Sequence, residues 1–185
     1  MATTTSLVTA VNDALFNDMM TDNGTLTRIR DGQTMIGTAF GSLDIPVGAT
    51  IDGIQIGMEG TAGSATHDAD VGHWISVSND GGTTFSTAQS ITTGPWTLYP
   101  GSHAVETAGG TSELWGMTWN ATTAADIQVR LAWSTSGGDA VYLDYLNVTI
   151  TYTAIPAATT YPSAENFNLK NGTIVLKNGK MELKY

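Results

Sequence analysis

The sequence predicts an all-β fold, an antiparallel β-sandwich of jelly-roll type that carries a C-terminal β arm. In several segments, apolar residues alternate with polar or small residues with a period of two, as in a half-buried strand. Turn residues separate these segments, and no helical pattern intervenes between Leu26 and Tyr152. Charged residues make up only 13% of the chain and glycines number 21 among 185 residues, a composition that favours packed strands.

The strand pattern begins clearly only after an ambiguous N-terminal stretch. Residues 7–20 fit either a short helix or an irregular strand, because their apolar residues have helical spacing whereas their Asn and Asp residues favour turns. The strands predicted beyond it are 35–40, 54–58, 74–78, 85–91, 114–119, 127–133 and 140–152.

The last two predicted strands carry the most specific local predictions. They are joined by a Ser, Gly and Asp turn at 134–139, which predicts a hairpin. Within 140–152 the apolar phase shifts between Leu143 and Leu146, and one inserted residue would return both halves to one core face. We therefore expect a β-bulge near Tyr145.

Composition divides the chain into an N-terminal segment (1–24), a β-sandwich domain (25–153), a Pro-containing linker (154–164) and a C-terminal β-meander arm (165–185). Residues 1–153 hold fifteen carboxylates against three arginines, a net charge of −12, whereas the remainder holds all four lysines against two glutamates, a net charge of +2. Such complementary regions favour docking on another acidic polypeptide, on a second copy, or back on the same domain.

The arm contains two Asn-Gly pairs, Asn171-Gly172 and Asn178-Gly179, which predict tight turns and a meander of three short strands. A meander of this size needs an external apolar surface, and we expect it on another subunit, with docking on its own domain as the alternative. The expected interface residues are Phe167, Leu169, Lys170, Ile174, Val175, Leu176, Lys177, Lys180, Leu183 and Lys184.

One cluster has metal-ligand character. It consists of His67, Asp68, Asp70 and His73, and its spacing matches no established metal motif. Calcium would use the two aspartates with backbone carbonyls, and zinc would use the histidines. A solvated polar loop is the preferred interpretation, so we expect no cofactor, with a structural calcium ion as the alternative.

A second motif carries a structural expectation. Ser78, Asp80, Gly82, Thr84 and Phe85 resemble the Asp box, Ser-x-Asp-x-Gly-x-Thr-Trp, with Phe in place of Trp. In sialidases and related β proteins, that motif is a hairpin turn remote from catalysis. The resemblance implies that the Ser and Asp side chains bind the turn backbone.

Several function classes are disfavoured. The net charge of −10 argues against nucleic-acid binding, which needs clustered Lys or Arg. No apolar run reaches membrane-spanning length, and residues 1–7 lack a secretory pattern, so we expect no membrane partner. The absence of cysteine, of a Gly-x-Ser-x-Gly elbow and of a His-Glu-x-x-His motif argues against an enzyme, and we expect no catalytic residue.

Tryptophans could instead bind sugars by stacking. Trp115, Trp119 and Trp133 fit core positions of predicted strands. Trp96 and Tyr99 lie near prolines in a loop-like segment, and they are the candidates for binding a glycan.

Three stretches carry a family resemblance: 40–58 (FGSLDIPVGATIDGIQIGM), 112–119 (SELWGMTW) and 141–152 (VYLDYLNVTITY). Together they resemble a β-sandwich module of structural proteins in tailed bacteriophages, over residues 37–153. The resemblance implies a virion component and no catalytic residue.

The sequence therefore favours a non-enzymatic virion protein assembled in the host cytoplasm, a capsid decoration or cement protein. We expect it to form a homo-oligomer, a trimer, and to contact the major capsid protein or other virion proteins. The alternative is a tail or fibre-tip adhesin that binds host surface polysaccharide.

Overall fold

The computed structural model describes residues 1–12, 17, 19–30, 32–62, 72–90, 102–134, 140–156, 173–177 and 180–184. The chain forms two compact units, Met1–Ile155 and Pro156–Tyr185. In the first unit the described elements are β1 (Ala2–Val11), β2 (Thr27–Arg30), β3 (Thr34–Phe40), β4 (Thr50–Ala62), β5 (Gly72–Ser78), β6 (Gln89–Ser90), β7 (Ala104–Gly109), α1 (Ala121–Ala125), β8 (Gln128–Ser134) and β9 (Ala140–Thr153). The second unit contains β10 (Thr173–Lys177) and β11 (Lys180–Lys184).

The first unit is one curled antiparallel sheet. Its strands follow the order β6-β5-β8-β3-β1-β9-β4-β7, and β2 also pairs with β9. Strand β1 joins the two halves of the sheet, since residues from Ala2 to Leu7 pair with β9 and residues from Val8 to Val11 pair with β3. The predicted all-β class is thereby confirmed. In the described part of the chain no helix is long and apolar enough to span a membrane.

Both halves of the sheet contribute to one apolar core. Gly37 on β3 lies against Val8 of β1 and Leu146 of β9: a Cβ atom there would lie 3.0 Å from Val8 Cγ2 and 3.3 Å from Leu146 Cδ2. Such separations are shorter than ordinary van der Waals contact, so a larger residue at position 37 would require the Val8 and Leu146 side chains to shift by a few tenths of an ångström. Among the described residues, the largest fully buried side chains are Met19, Ile29, Met35, Ile54, Ile56, Met58, Ile75, Ile127, Leu131, Leu143, Leu146 and Ile150.

The bulge predicted near Tyr145 is confirmed. Along β4 and β9, Glu59 faces Tyr145 and the next residue, Gly60, faces Leu143, which leaves Asp144 as the additional residue of β9. Leu143 and Leu146 are both fully buried, as the phase argument requires. The bulge also buries the carboxylate of Asp144, which is only 1% exposed.

The hairpin predicted from 127–133 and 140–152 is wrong. Strand β8 pairs with β3 and β5, whereas β9 pairs with β1, β2 and β4, so the chain crosses from one half of the curled sheet to the other. The turn residues predicted between the two strands lie, from 135 to 139, outside the described residues. Turn residues in a sequence do not specify which strand β9 will pair with, because that choice depends on core contacts remote in sequence.

The strand predicted at 114–119 is also wrong. Trp115 and Gly116 have φ values of 57° and 67°, in the left-handed region that a strand does not contain. The turn is held by indole hydrogen bonds, Trp115 Nε1 to Ile54 O and Trp119 Nε1 to Leu114 O, both 3.0 Å. Both tryptophans are buried in the core cluster, as predicted for them; the side chain of Trp133 lies outside the described residues.

The remaining strand predictions have mixed outcomes. Residues 35–40, 54–58 and 74–78 lie in β3, β4 and β5, but the predicted strand 85–91 is reduced to β6, and residue 91 lies outside the described residues. For residues 7–20 the sequence fits either a short helix or an irregular strand, and the residues from Leu7 to Val11 form part of strand β1. Strands β2 and β7 and the short helix α1 were not predicted.

The second unit contains an antiparallel hairpin. Its register pairs Ile174 with Leu183 and Leu176 with Met181, and Lys177 faces Lys180. Asn178 and Gly179, for which a tight turn is predicted, lie outside the described residues. Two of the three predicted short strands are thus confirmed. The first one, with Phe167, Leu169 and Lys170, lies outside the described residues.

Candidate functional site

Three metal-ligating side chains converge beside the β9 bulge. Glu59 belongs to β4, Asp144 is the bulged residue of β9, and His103 immediately precedes β7. His103 Nδ1 lies 3.6 Å from Glu59 Oε1 and 3.9 Å from Asp144 Oδ2. One ligand atom from each of the three side chains lies within 4.8 Å of the others. We call these residues the bulge cluster.

The N-terminal part of the chain contacts the bulge cluster at Asp144. Met20 forms a β-bridge with Tyr145, and the turn that follows donates two backbone hydrogen bonds to Asp144. Gly24 N donates to Asp144 Oδ2 at 2.9 Å, and Asn23 N donates to Oδ1 at 3.4 Å. Asp144 therefore fixes this turn to the sheet while its carboxylate also faces His103.

Negative charge is concentrated at the bulge cluster. The pKa of Glu59 is raised above its ordinary value, first by burial and then by the nearby carboxylates of Asp22 and Asp144, although His103 acts in the opposite direction. Burial and the same group of carboxylates, including Glu59, also raise the pKa of the Tyr145 hydroxyl. Within the described part of the chain, His103 is the only basic side chain at ion-pair distance from Glu59 or Asp144.

The Asp-box residues form the structural turn that their motif predicts. Asp80 Oδ1 accepts hydrogen bonds from Ser78 Oγ at 2.7 Å and from Thr84 N at 2.9 Å, and Oδ2 accepts one from Thr84 Oγ1 at 2.7 Å. Gly82 N donates to Ser78 Oγ at 2.9 Å, which closes the turn. The bonds from Thr84, its backbone N–H first, lower the pKa of Asp80 to about 2. At the position of the motif Trp, Phe85 packs under the guanidinium of Arg130, 4.3 Å from the ring centroid.

An open cleft of about 530 Å³ lies beside this turn, and its lining includes Asp80 and Asp126. Hydrolysis of a glycosidic bond needs two carboxyl groups across a cleft, one of them with a raised pKa as general acid. Asp80 has the opposite property, since its hydrogen bonds hold it ionised and bind it to its own turn. This carboxylate therefore acts as a structural anion.

Most sequence-predicted site residues lie where the structure gives no side-chain detail. His67, Asp68, Asp70, Trp96 and Tyr99 fall outside the described residues. His73 lies on β5 opposite Trp133, with only its backbone described. Of the predicted arm interface, β10 and β11 contain Ile174, Val175, Leu176, Lys177, Lys180, Leu183 and Lys184.

The bulge cluster was missed because its members are far apart in sequence, at positions 59, 103 and 144. One feature of the sequence could have indicated the bulge cluster. The predicted bulge places a charged residue, Asp144, inside a long apolar strand, and such a residue requires partners.

Comparison with known proteins adds little to this geometry. No protein-family model matches the chain, and no curated protein matches it. Among solved structures it is similar to Eiger TNF from S. frugiperda, with 10% identity, a TM-score of 0.31, and coverage of 75% of this chain and 98% of that chain. A similarity of this degree supports no transfer of function.

Proposed function

We propose that the protein is a non-enzymatic structural protein of a tailed-bacteriophage virion, a decoration or cement protein of the capsid. In this proposal the curled sheet closes as a jelly-roll sandwich, and the C-terminal hairpin joins copies into a homo-oligomer, a trimer, on the major capsid protein. The observation that carries the proposal is the register of β10 and β11. The resemblance of residues 40–58, 112–119 and 141–152 to the phage module supports it from the sequence.

The register gives the hairpin two chemically different faces. Residues two apart in a strand share a face, as do residues directly opposite across the pair. Positions 174, 176, 181 and 183 therefore share one face, and these are Ile, Leu, Met and Leu. The other face holds positions 173, 175, 177, 180, 182 and 184, three of which are lysines.

A two-stranded hairpin of this kind is marginal alone and gains stability when its apolar face is covered. The lysine positions match the net charge of −12 on residues 1–153, which favours the acidic body of a second copy as the occupant. Each contact is weak, and repetition over a particle surface makes the sum effective.

The hairpin faces can be tested separately in the full-length protein. Leu176→Ser should abolish or strongly weaken oligomerisation, measured by light scattering after gel filtration. Val175→Ser is the matched control, since it removes a neighbouring apolar side chain from the opposite face and should leave the oligomer intact. Equal behaviour of the two variants, or a monomeric unmodified protein, would contradict this role of the hairpin.

The location in the particle is tested by copy number. Quantification of the protein in purified virions should give hundreds of copies for a decoration protein, and Leu176→Ser should reduce that number sharply. A handful of copies per particle would favour the tail or fibre tip instead.

A further inference from the structure

We propose that the bulge cluster is a structural binding site for a transition-metal dication of the Zn²⁺ class, held by Glu59, His103 and Asp144. The proposal is independent of the C-terminal hairpin. It depends on the convergence of an imidazole and two carboxylates from three separate segments of the sheet.

The ligand set favours zinc-like ions over calcium or magnesium. Calcium binds six to eight oxygen atoms and magnesium retains water in an octahedral oxygen shell, whereas imidazole nitrogen suits zinc and its neighbours in the first transition row. One His with two carboxylates leaves a further coordination position for water, as in other open zinc sites.

The distances are compatible with small side-chain adjustments. Zinc bonds near 2.1 Å in a tetrahedral arrangement place ligand atoms about 3.4 Å apart. His103 Nδ1 lies 3.6 Å from Glu59 Oε1 and 3.9 Å from Asp144 Oδ2, and all three ligand atoms are within 4.8 Å. Asp144 is held in place by Gly24 N, so the other two side chains would close on it.

A buried hydroxyl group, that of Thr61, lies on the same face of β4 as Glu59 and has no hydrogen-bond partner among the described residues. Thr61 follows Glu59 by two residues on β4, and strand alternation therefore places both on the same face. The Thr61 hydroxyl is fully buried and has no hydrogen-bond partner within the described part of the chain. Buried polar groups are nearly always satisfied, so this hydroxyl requires a further polar partner on the face of β4 that holds Glu59.

A bound dication would also offset the charge concentrated here. The carboxylates of Glu59 and Asp144 both lie within 4 Å of the one imidazole of His103. A dication would bring two positive charges to these carboxylates where His103 alone can bring one. It would connect β4, β9 and the start of β7, and so would stabilise the end of the sheet.

The test uses the full-length protein, freed of metal by a chelator and titrated with Zn²⁺ alone. Calorimetry and elemental analysis should show one Zn²⁺ per chain, and the melting temperature should rise with Zn²⁺. His103→Ala should weaken Zn²⁺ binding by at least about 100-fold, since even outer partners of metal ligands contribute roughly 10- to 100-fold. Glu59→Gln should also weaken binding; because Glu59 is partly exposed, this variant carries the test if His103→Ala fails to fold.

The double variant His67→Ala/His73→Ala is the matched control, because it removes the other two histidines of the chain. It should bind Zn²⁺ like the unmodified protein. Loss of binding in this control would place the ion at the 67–73 loop and overturn the proposal. Unchanged binding in His103→Ala or Glu59→Gln, no rise in melting temperature, or a preference for Ca²⁺ over Zn²⁺ would overturn it as well.

Discussion

The Asp-box turn and the bulge cluster use carboxylates in opposite ways. Asp80 is surrounded by hydrogen-bond donors from within six residues of the chain, and its pKa falls to about 2. Glu59 is surrounded by carboxylates that come from distant segments, and its pKa is raised. The Asp-box turn stabilises the ionised form of Asp80 in the folded protein, whereas the bulge cluster destabilises the ionised form of Glu59.

The difference shows how a carboxylate can hold a fold without a salt bridge. The Asp-box turn satisfies the Asp80 anion with hydroxyl and backbone donors from Ser78 and Thr84, within the turn itself. The bulge cluster satisfies Asp144 in part, through Asn23 and Gly24, and leaves Glu59 with His103 as its basic neighbour in the described chain. The proposed dication would therefore act at the second region, where the carboxylates lack enough donors of their own.

The largest expected effect is at Asp144. Asp144→Ala should lower the free energy of unfolding by about 2 kcal/mol, because two backbone donors lose a charged acceptor at a buried position. Chemical denaturation at pH 7 in chelator would measure this. Asp144→Asn retains one acceptor oxygen and should have a smaller effect; an Asp144→Ala variant as stable as the unmodified protein would show that the turn at Asn23 and Gly24 does not depend on the bulge.

A smaller effect is expected at the Asp-box turn. Ser78→Ala should destabilise by about 1 kcal/mol, because the buried hydroxyl accepts from Gly82 N and donates to Asp80. Ser42→Ala is the matched control: Ser42 donates to Asp44 with the same Ser-x-Asp spacing but is exposed. Equal losses of stability in the two variants would contradict a special role of the Asp-box turn.

The smallest expected changes in the free energy of unfolding come from removing the carboxylate charge of Asp80 or of Glu59. The two changes should have opposite signs. Asp80 has a lowered pKa in the folded protein, so its stabilisation is present above its ordinary pKa of 3.8 and is lost as pH falls towards 2. Asp80→Asn should therefore be less stable than the unmodified protein at pH 7, and the difference should disappear near pH 2. Glu59 has a raised pKa, so its favourable contribution is present below its ordinary value of 4.5 and is lost as pH rises.

Glu59→Gln should accordingly be more stable than the unmodified protein at pH 7 in chelator, with the difference closing below about pH 4.5. The groups that influence this titration are Asp22, Asp144 and His103. Denaturation midpoints between pH 7 and pH 2 would give both profiles. If both variants were less stable than the unmodified protein at pH 7, or both were more stable, the proposed contrast between the Asp-box turn and the bulge cluster would be wrong.

Elements that depend on local chemistry were predicted well. The Asp box, the bulge near Tyr145 and the hairpin of β10 and β11 each follow from residues within a few positions of one another. Predictions that needed long-range information failed. The alternating pattern of 114–119 fits a strand, yet Trp115 reaches Ile54 through its indole N–H, and a left-handed turn results.

The sequence by itself determined the all-β class, the position of the bulge and the charge contrast between residues 1–153 and the C-terminal segment, because period, turn chemistry and charge are properties of neighbouring residues. The tertiary structure alone decided that β8 and β9 belong to different halves of the sheet, and that Glu59, His103 and Asp144 meet at one point. Strand pairing and side-chain convergence depend on which apolar faces share a core, and residues more than forty positions apart carry no local signal of that choice.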